Sequence, residues 1–470
     1  MNKGGHFFLS VSRNSLNYKP MQKNMPLMLA VGLVWCGNLT AAPREYKPSF
    51  APFIWKSEPP ADCPFKPSRE MVGVRFTGVH SDYRFADTWY PTWAADGNLY
   101  SPFTDGSVWE DGSNSDGFTF TESDGMGVYH TALRKATTGQ AVLMGNDPLN
   151  LTVKSLGTVA ADPYPYGGRY PCGSLMHGGV WYYGTYCLSP HGMTRFGETV
   201  YNWPWLGPLV GFRISRDFGK TWTETTRTPA KPLFGESGMW GYPVKIGSPH
   251  FVDFGRDMEH SPDGKAYLVA HGAVYPDAKP RFENLSWITG DQVYLLRVTP
   301  TPETINDASQ YEFFAGNSRK GEAIWTRDFK RIKPLVEWNN NMGCVTMTYN
   351  APLKKYLMCV TDGGNTCAKM HSYILESSRI NGPWRMVAYM KNFGEQGYFV
   401  NIPSKFISMD GRTSWLCYSA NFAPNWNGEK IESKPPGSHY GLVLQEIQWL
   451  DRRSKKQYEK HQGMLSIVKP

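Results

Sequence analysis

Charged residues, long helical patterns and interdomain linkers are all scarce in this 470-residue chain. Asp, Glu, Lys and Arg together make up only 19% of it, and the net charge of +8 is not gathered into a basic stripe. This pattern disfavours nucleic-acid binding, which needs clustered cationic side chains. No CxxC pair occurs, so the spacing typical of a structural zinc site is missing as well.

What the chain has instead is aromatic residues and turn formers. Aromatics make up 14% of the residues, with 17 Trp and 26 Tyr, and there are 47 Gly and 35 Pro. Short apolar and aromatic runs alternate with Gly, Pro, Asn and Asp, which predicts an all-β protein. The clearest predicted strands are 180–188, 209–215, 266–274, 292–298, 344–350 and 354–361.

From 71 to 450 the sequence consists throughout of short strand-like runs separated by turn residues, and no Pro/Ser-rich linker or run of charges divides it. We therefore predict one seven-bladed β-propeller as a single catalytic domain, at about 50–60 residues a blade. Two stacked sandwiches are the alternative. Residues 43–70 are predicted to be an N-terminal arm, and 451–470 a charged, solvated C-terminal tail.

The first 42 residues have the features of a secretory signal peptide. Lys19 and Lys23 precede an apolar stretch that is too short to span a bilayer, and small residues follow at 40–42. We therefore expect a secreted or periplasmic protein that is not inserted in a membrane. The long segment before the apolar stretch suggests that translation begins at Met21 or Met25.

Seven cysteines remain beyond the signal peptide, so they cannot all be paired within one chain. Export permits disulfides, and Cys172–Cys187 is the most plausible local pair. A metal site at Cys344, Cys359, Cys367 and His371 is the alternative use of the others. Buried free thiols are favoured over both.

Residues 215–222 read Ser-Arg-Asp-Phe-Gly-Lys-Thr-Trp, which resembles the Asp-box of sialidase-type propeller blades. The Asp side chain can accept hydrogen bonds from turn amides, the Gly permits a tight backbone, and the Trp packs against the hairpin. The motif predicts a blade turn and carries no catalytic meaning.

Four polar residues in the second half stand at paired spacings. His250 and His271 are 21 positions apart, and Tyr311 and Arg327 are 16 apart. Together, His, Tyr and Arg can remove the proton beside a carboxylate: a base takes the proton, the cation holds the growing charge, and an acid protonates the leaving oxygen. That reaction is β-elimination, which cleaves uronate polysaccharides without water.

At these spacings the chain resembles the seven-bladed ulvan lyases and the related rhamnosyl-glucuronate lyases. The resemblance implies that Arg327 neutralises the uronate carboxylate, while Tyr311 and a histidine share the base and acid roles. It implies cleavage of an α-L-rhamnosyl-(1→4)-D-glucuronate bond in ulvan or in gum-arabic-type arabinogalactan, leaving a 4,5-unsaturated uronate. No cofactor is needed for this chemistry, although the resemblance implies a structural or substrate-side metal, with calcium or zinc as the candidates for a structural ion.

A second candidate site is the run 78–107, which is dense in aromatics, Asp and Gly. It resembles both the first blade of the same superfamily and a rhamnosidase family in which one histidine hydrolyses the same bond, which would assign that role to His80. Asp87, Asp96 and Asp105 in this run are also suited to a two-carboxylate hydrolase. The alternative is structural, with these carboxylates capping turns and Trp89 packing the blade.

Further residues are predicted with less support. Asn341, Lys405, Asn421 and Arg169 are candidates for substrate binding, and His260 is a competing histidine at a turn. The expected partner is an acidic polysaccharide containing rhamnose and uronate, bound by a monomer. A non-catalytic carbohydrate-binding propeller is the remaining alternative.

Overall fold

The computed structural model has twenty-six β-strands in the described part of the chain. The described ranges are 46–83, 85–113, 119–125, 136–160, 169–188, 194–196, 199–201, 206–236, 244–273, 287–363, 369–421 and 432–467. The predicted signal peptide lies outside them, as does Cys367. From Tyr46 onward the chain forms one compact unit.

The described strands form seven antiparallel sheets, two of them two-stranded hairpins, and together these make five blades, which we number 1 to 5. Before the first blade come β1 (Phe53–Ile54) and β2 (Val74–Tyr83). Blade 1 contains β3 (Thr92–Trp93), β4 (Leu99–Phe103), β5 (Gly106–Trp109), β6 (Phe120–Ser123), β7 (Thr137–Met144) and β8 (Thr152–Ala160). Blade 2 contains β9 (Arg169–His177), β10 (Val180–Leu188), β11 (Thr194–Phe196), β12 (Thr199–Tyr201) and β13 (Leu206–Ser215).

The remaining strands form three more blades. Blade 3 contains β14 (His250–Phe251), β15 (Ala266–Gly272), β16 (Gln292–Val298), β17 (Glu312–Asn317), β18 (Ala323–Thr326) and β19 (Pro334–Glu337). Blade 4 contains β20 (Val345–Asn350), β21 (Lys355–Asp362), β22 (His371–Ser377) and β23 (Arg385–Met390). Blade 5 contains β24 (Tyr398–Asn401), β25 (Thr413–Ser419) and β26 (Leu442–Trp449). Single 3-10 turns lie at Arg256–Met258, Ala308–Gln310, Phe329–Arg331 and Ser404–Phe406.

The five first strands β3, β9, β14, β20 and β24 are neighbours around a central axis. The ring closes between blades 5 and 1, where the Asn401 side chain donates to the Trp89 carbonyl at 2.9 Å. Blade 5 itself is completed by the N-terminal segment, because β2 pairs with β26 and β1 pairs with β2. The two ends of the propeller are therefore joined within one sheet, which resists opening of the ring.

The prediction of seven blades is wrong, because the ring has five. The prediction assumed four strands in each blade, whereas blades 1 and 3 each contain six strands, so fewer blades use up the same number of strands. The hairpin β5–β6 is inserted between β4 and β7, and β19 adds to the far half of β16. Extra hairpins of this kind look like additional blades in a sequence, since their strands have the same alternation and turn residues.

The Asp-box segment forms a hydrogen-bonded turn after β13. The Asp217 carboxylate accepts from the Thr221 amide at 2.9 Å and from its hydroxyl at 2.6 Å. Phe218 has a φ of 60° there, and Gly219 follows at 86°. The Trp222 ring then packs 5.2 Å from Trp181, so the turn anchors the outer part of blade 2 to its core.

The cysteines in the described ranges form no disulfide with one another, and all except Cys63 are buried. The suggested Cys172–Cys187 disulfide is therefore absent, although the two residues lie on adjacent strands, β9 and β10. Among the described residues, no group of three or more His, Cys, Asp or Glu side chains is arranged to hold a metal ion.

After blade 5 the chain forms a helix, α1 (Arg452–Ile467). The Asp451 carboxylate caps it by accepting from the Ser454 amide at 2.7 Å, and this bond lowers the pKa of Asp451 to about 2. Tyr458 on this helix donates to the carbonyl of Pro52, so helix and N-terminal arm are in contact. Within the described ranges, no helix has the length and apolar character needed to cross a lipid bilayer.

Candidate active site

The central axis of the ring holds a narrow channel. Each of the five blades contributes to its wall, including Tyr90, Ser174, His250, Thr346 and Asn401. The cavity measures about 40 Å³, which is room for a few water molecules. A sugar ring does not fit in this channel, so a saccharide would have to bind at one of its ends.

One end of the channel carries a cluster of carboxyl groups. We call it the amino end, because the five innermost strands begin there. Asp87 lies shortly before β3 and forms an isolated β-bridge with Thr104, which places it beside Asp105. Asp105 connects β4 to β5, and Asp124 follows β6. The β3–β4 hairpin thus returns Asp105 to Asp87, and the inserted hairpin returns Asp124 to Asp105. We call these three residues the carboxyl cluster.

Asp87 is buried, with 9% of its surface exposed. Its carboxyl group accepts from the Thr88 hydroxyl at 2.7 Å and from the Tyr398 hydroxyl at 3.0 Å. Burial raises the pKa of Asp87 to about 7, although these two hydrogen bonds act in the opposite direction. Asp87 can therefore be either protonated or ionised near neutral pH.

Asp105 stands in the left-handed backbone region, with a φ of 52°, and is partly exposed to solvent. Its carboxyl accepts from the Gly125 amide at 3.3 Å. Burial of the carboxyl raises the pKa of Asp105 well above its ordinary value, and the charges of Asp87 and Asp124 raise it further. The charge on one of these carboxyl groups therefore opposes ionisation of the other, and Asp87 and Asp105 titrate as a pair.

Tyrosines surround the carboxyl cluster. Tyr170, Tyr398 and Tyr440 are all buried. Burial and the neighbouring aspartates raise the pKa of each of these phenols well above 10, so they remain neutral hydrogen-bond donors. Tyr440 donates to the backbone carbonyl of Asp105, which fixes the left-handed residue in place. The arrangement is a coupled pair of carboxyl groups with raised pKa values, surrounded by neutral hydrogen-bond donors.

His250 lies at the start of β14, the innermost strand of blade 3. Its ring lies 3.9 Å from that of Tyr90, and its Nε2 is 3.4 Å from the Cys344 sulfur. The Tyr90 hydroxyl is in turn 3.2 Å from that sulfur. Burial, together with the nearby His271, lowers the pKa of His250 well below its ordinary value, so the imidazole is neutral. His271 is also buried, so the structure does bring these two histidines close together.

Tyr311 is not near this pair. Its hydroxyl donates to the Ile305 carbonyl at 2.7 Å, and its ring packs edge-on against Phe234 at 5.0 Å. It is fully buried immediately before β17, the fourth strand of its blade. At about 4.8 Å between strands, it stands roughly 14 Å from β14. Tyr311 therefore has the position and the contacts of a core aromatic.

Arg327 is exposed and immediately follows β18, the fifth strand of the same blade. Four strand spacings separate it from β14, which is about 19 Å. The structure therefore does not bring Arg327 and the two histidines together. Sequence spacing suggested that these four residues form one catalytic site. Each successive strand of a propeller blade, however, lies one strand spacing farther from the axis.

The other predicted residues are scattered. His80 lies on β2, the fourth strand of blade 5, and stacks on Phe50 at 5.8 Å; burial lowers its pKa. Lys405 donates to the carbonyls of Gly97 and Gly145 near the opposite end of the ring. Arg169 begins β9, but its side chain lies outside the described part of the structure.

Both predicted asparagines are engaged in local structure. The Asn421 amide donates to Ser433 at 2.7 Å and to the Ser438 carbonyl at 3.0 Å. Asn341 donates to the Asn339 carbonyl at 2.7 Å. These bonds fix loops at the amino end without presenting the amides to a ligand.

Sequence reasoning included Asp87 and Asp105 but missed Asp124 and the tyrosines. The Asp-Gly pair at 124–125 was the available signal for Asp124, and it is indistinguishable from an ordinary turn. Tyr398 comes from the last blade, and only ring closure brings it to Asp87. Nothing in the local sequence indicates that contact.

Comparisons with known proteins give similarity in fold only. No protein-family model matches the chain, and no curated protein matches it either. Among solved structures it is similar to a family 117 glycoside hydrolase from Zobellia galactanivorans, with a TM-score of 0.42, 13% identity, and coverage of 80% of this chain and 91% of that one. It is also similar to a β-xylosidase/α-arabinofuranosidase from a compost metagenome, in complex with xylotriose, with a TM-score of 0.39, 12% identity, and coverage of 78% and 92%.

A third similar structure is an α-L-arabinofuranosidase from Podospora anserina, in complex with cellotriose. Its TM-score is 0.37 and its identity 11%, with 78% of this chain and 91% of that one covered. These neighbours are enzymes that act on sugars. Similarity at this level assigns no role to any residue of the present chain.

Proposed function

We propose that this protein is an enzyme that hydrolyses glycosidic bonds at the amino end of its ring, using Asp87 and Asp105. The observation that carries the proposal is the pair itself: two neighbouring carboxyl groups, one buried and one partly exposed, whose pKa values are both raised. Glycoside hydrolysis needs one carboxyl that holds a proton and one that has lost it. Two neighbouring carboxyl groups resist being ionised together, so one keeps its proton while the other loses it.

Asp105 is the general acid in this mechanism. Its pKa is raised and its residue is partly exposed, whereas Asp87 is buried, so Asp105 can protonate the oxygen of the leaving sugar. Asp87, ionised and held by Tyr398 and Thr88, acts on the opposite side, either activating a water or attacking the sugar carbon. The neutral tyrosines keep both carboxyl groups oriented without neutralising them.

Elimination at a rhamnosyl-glucuronate bond is the second candidate. The observation that favours it is the neutral, buried His250 against the Tyr90 ring, a base and a phenol in contact at the channel. The described residues that line the channel include no arginine or lysine to hold a uronate carboxylate, which this reaction requires. Hydrolysis is therefore the better supported of the two. The rhamnosidase alternative through His80 is less favoured, because His80 lies on β2, the fourth strand from the axis in blade 5.

One assay separates these reactions. Purified protein is incubated with ulvan, with gum arabic and with neutral arabinan and xylan, and both reducing ends and ultraviolet absorbance of unsaturated uronate are followed. We expect new reducing ends without a rise in absorbance, because hydrolysis adds water and creates no double bond. A rise in absorbance equal to the number of cleaved bonds would establish elimination and reject the carboxyl mechanism. No cleavage of any substrate, with binding retained, would favour the carbohydrate-binding propeller.

The hydrogen bond from Tyr398 leads to a prediction on pH dependence. Tyr398 lowers the pKa of Asp87 by stabilising its ionised form, so Tyr398→Phe is expected to raise that pKa above about 7. Because Asp87 must be ionised, the acidic limb of the pH–rate profile should move to higher pH, while the alkaline limb set by Asp105 moves less. Tyr389→Phe, which alters a buried tyrosine of blade 4, is the matched control. A limb that moves to lower pH would contradict the assigned role.

A further inference from the structure

A basic cavity lies far from the carboxyl cluster, at the opposite end of the ring. It is formed by the turn after β20, the end of β26 and the start of α1, and its volume is about 460 Å³. Since β24 begins at the amino end and the strands alternate in direction, β26 ends at the opposite one. Five cationic residues line this cavity: Arg69, Lys355, Arg412, Arg452 and Arg453.

Two of these cations are already neutralised. The Lys355 ammonium, whose side chain is 8% exposed, is 3.0 Å from Glu70 and 3.1 Å from Glu376. Arg412 is 3.1 Å from the Asp451 carboxylate. These ion pairs form part of the cavity wall. They do not neutralise the other three cationic residues that line the cavity.

Three arginines at the rim have no such partner. Within the described ranges, no carboxylate forms an ion pair with Arg69, Arg452 or Arg453. The cavity therefore carries an excess of positive charge, although the chain as a whole shows no basic stripe in its sequence. Guanidinium groups pair with planar or tetrahedral oxyanions through two parallel hydrogen bonds, so a cavity of this composition suits carboxylate or sulfate groups.

We propose that this basic cavity is an anchoring site for an acidic polysaccharide, which binds through sulfate or carboxylate groups on its sugar rings. The volume lies in the range of small-molecule pockets, about 300–1,000 Å³, so it admits charged groups projecting from a chain. The floor residues Met71, Trp449 and Leu450 are buried and offer no exposed aromatic face. Stacking on such faces is how proteins bind unpaired bases, so a nucleic acid is the less suitable polyanion.

The test is a direct binding measurement on the whole protein, which does not depend on turnover. Dextran sulfate and polygalacturonate serve as the two probes, with uncharged dextran and duplex DNA for comparison, each at low and at physiological salt. We expect both acidic glycans, or one of them, to bind more tightly than dextran and than DNA, with affinity falling as salt rises. Which probe binds tells whether sulfate or carboxylate is the preferred group.

A triple variant and a charge-matched control identify the site. The site variant replaces the three unpaired arginines by glutamine: Arg69→Gln, Arg452→Gln and Arg453→Gln. The control removes three charges from exposed residues of blade 3: Arg319→Gln, Lys330→Gln and Arg331→Gln. We expect the site variant to bind about tenfold more weakly and the control to change by less than about twofold, with equal thermal midpoints.

Several outcomes would overturn the proposal. Equal weakening by both triple variants would show that only the overall charge attracts the polymer. Absence of binding by the unmodified protein, or equally tight binding of DNA, would also reject it. Because no step of the assay involves cleavage, a protein that binds through the cavity but hydrolyses nothing would leave this proposal standing and reject only the proposed function.

Discussion

Replacing Asp87 by asparagine is expected to lower turnover by about a thousandfold on any substrate that the protein hydrolyses. The amide keeps the size of the side chain but can neither ionise nor accept a proton, so the base or nucleophile of the reaction is lost. General acid–base groups typically contribute about 10²–10⁴ in rate. The measurement is kcat and KM on the best substrate from the product assay, with the loss expected in kcat.

The matched control for this variant is Asp96→Asn. Asp96 lies nine positions further along the same run, but it is exposed and accepts from the Asn98 amide at 2.9 Å and the Tyr100 hydroxyl at 2.8 Å. These bonds belong to the turn after β3, at the other end of that strand from Asp87. We expect Asp96→Asn to retain nearly full activity. Equal losses in the two variants would indicate a structural effect and remove Asp87 from the mechanism.

The stability of the Asp87→Asn variant provides a second readout. Burial raises the folded-state pKa of Asp87 above its unfolded value, so the native state binds the proton more tightly. Stability is therefore lost as pH rises from about 4 to about 7, the interval between the two pKa values. The substituted amide does not titrate, so the variant should lack this decline and be relatively more stable above pH 7 than below pH 4. An inactive variant that is also destabilised at high pH would contradict the assignment.

Much of the fold could be predicted from the sequence, because strands are local features. The run 180–188 coincides with β10, and 292–298 coincides with β16. The number of blades could not be predicted in the same way. It depends on which hairpin joins which sheet, and the insertion β5–β6 has the same alternation as a true blade hairpin. Pairing between β2 and β26 is also invisible locally, since the two strands are hundreds of residues apart.

The candidate site was predictable only in part, for a related reason. His250 and His271 lie on adjacent strands, and their spacing correctly placed them near each other. Tyr311 and Arg327 lie on later strands of the same blade, and distance from the axis grows with each strand. The spacing of two residues in the sequence gives only the number of residues between them. Whether both reach a site at the axis of a propeller depends on whether both lie on the innermost strands. Asp87 and Asp105 meet because the β3–β4 hairpin reverses the chain between them.

Trp181→Ala is expected to produce the largest loss of stability among single core changes in blade 2. Trp181 is fully buried, and its indole nitrogen donates to the Ser174 hydroxyl at 2.8 Å. Its ring contacts Trp222 of the Asp-box turn, Tyr100 of blade 1 at 5.4 Å and Gly219. Deleting such a side chain typically costs about 3–5 kcal/mol, since the lost burial is joined by the cost of the cavity. The measurement is the free energy of unfolding in urea, followed by tryptophan fluorescence and circular dichroism together.

Two further variants separate the contributions of this residue. Trp181→Phe keeps an aromatic ring in the space but loses the bond to Ser174, so it should cost less than the alanine variant. Met409→Ala changes a side chain that is 89% exposed and should alter stability by no more than about 0.5 kcal/mol. Because Trp181 touches both the Asp-box turn and the neighbouring blade, its loss should weaken the junction between blades 1 and 2. If Trp181→Ala matched the exposed control, the Asp-box turn would not be anchored through this ring, and the stability of blade 2 would have to come from its strand pairing alone.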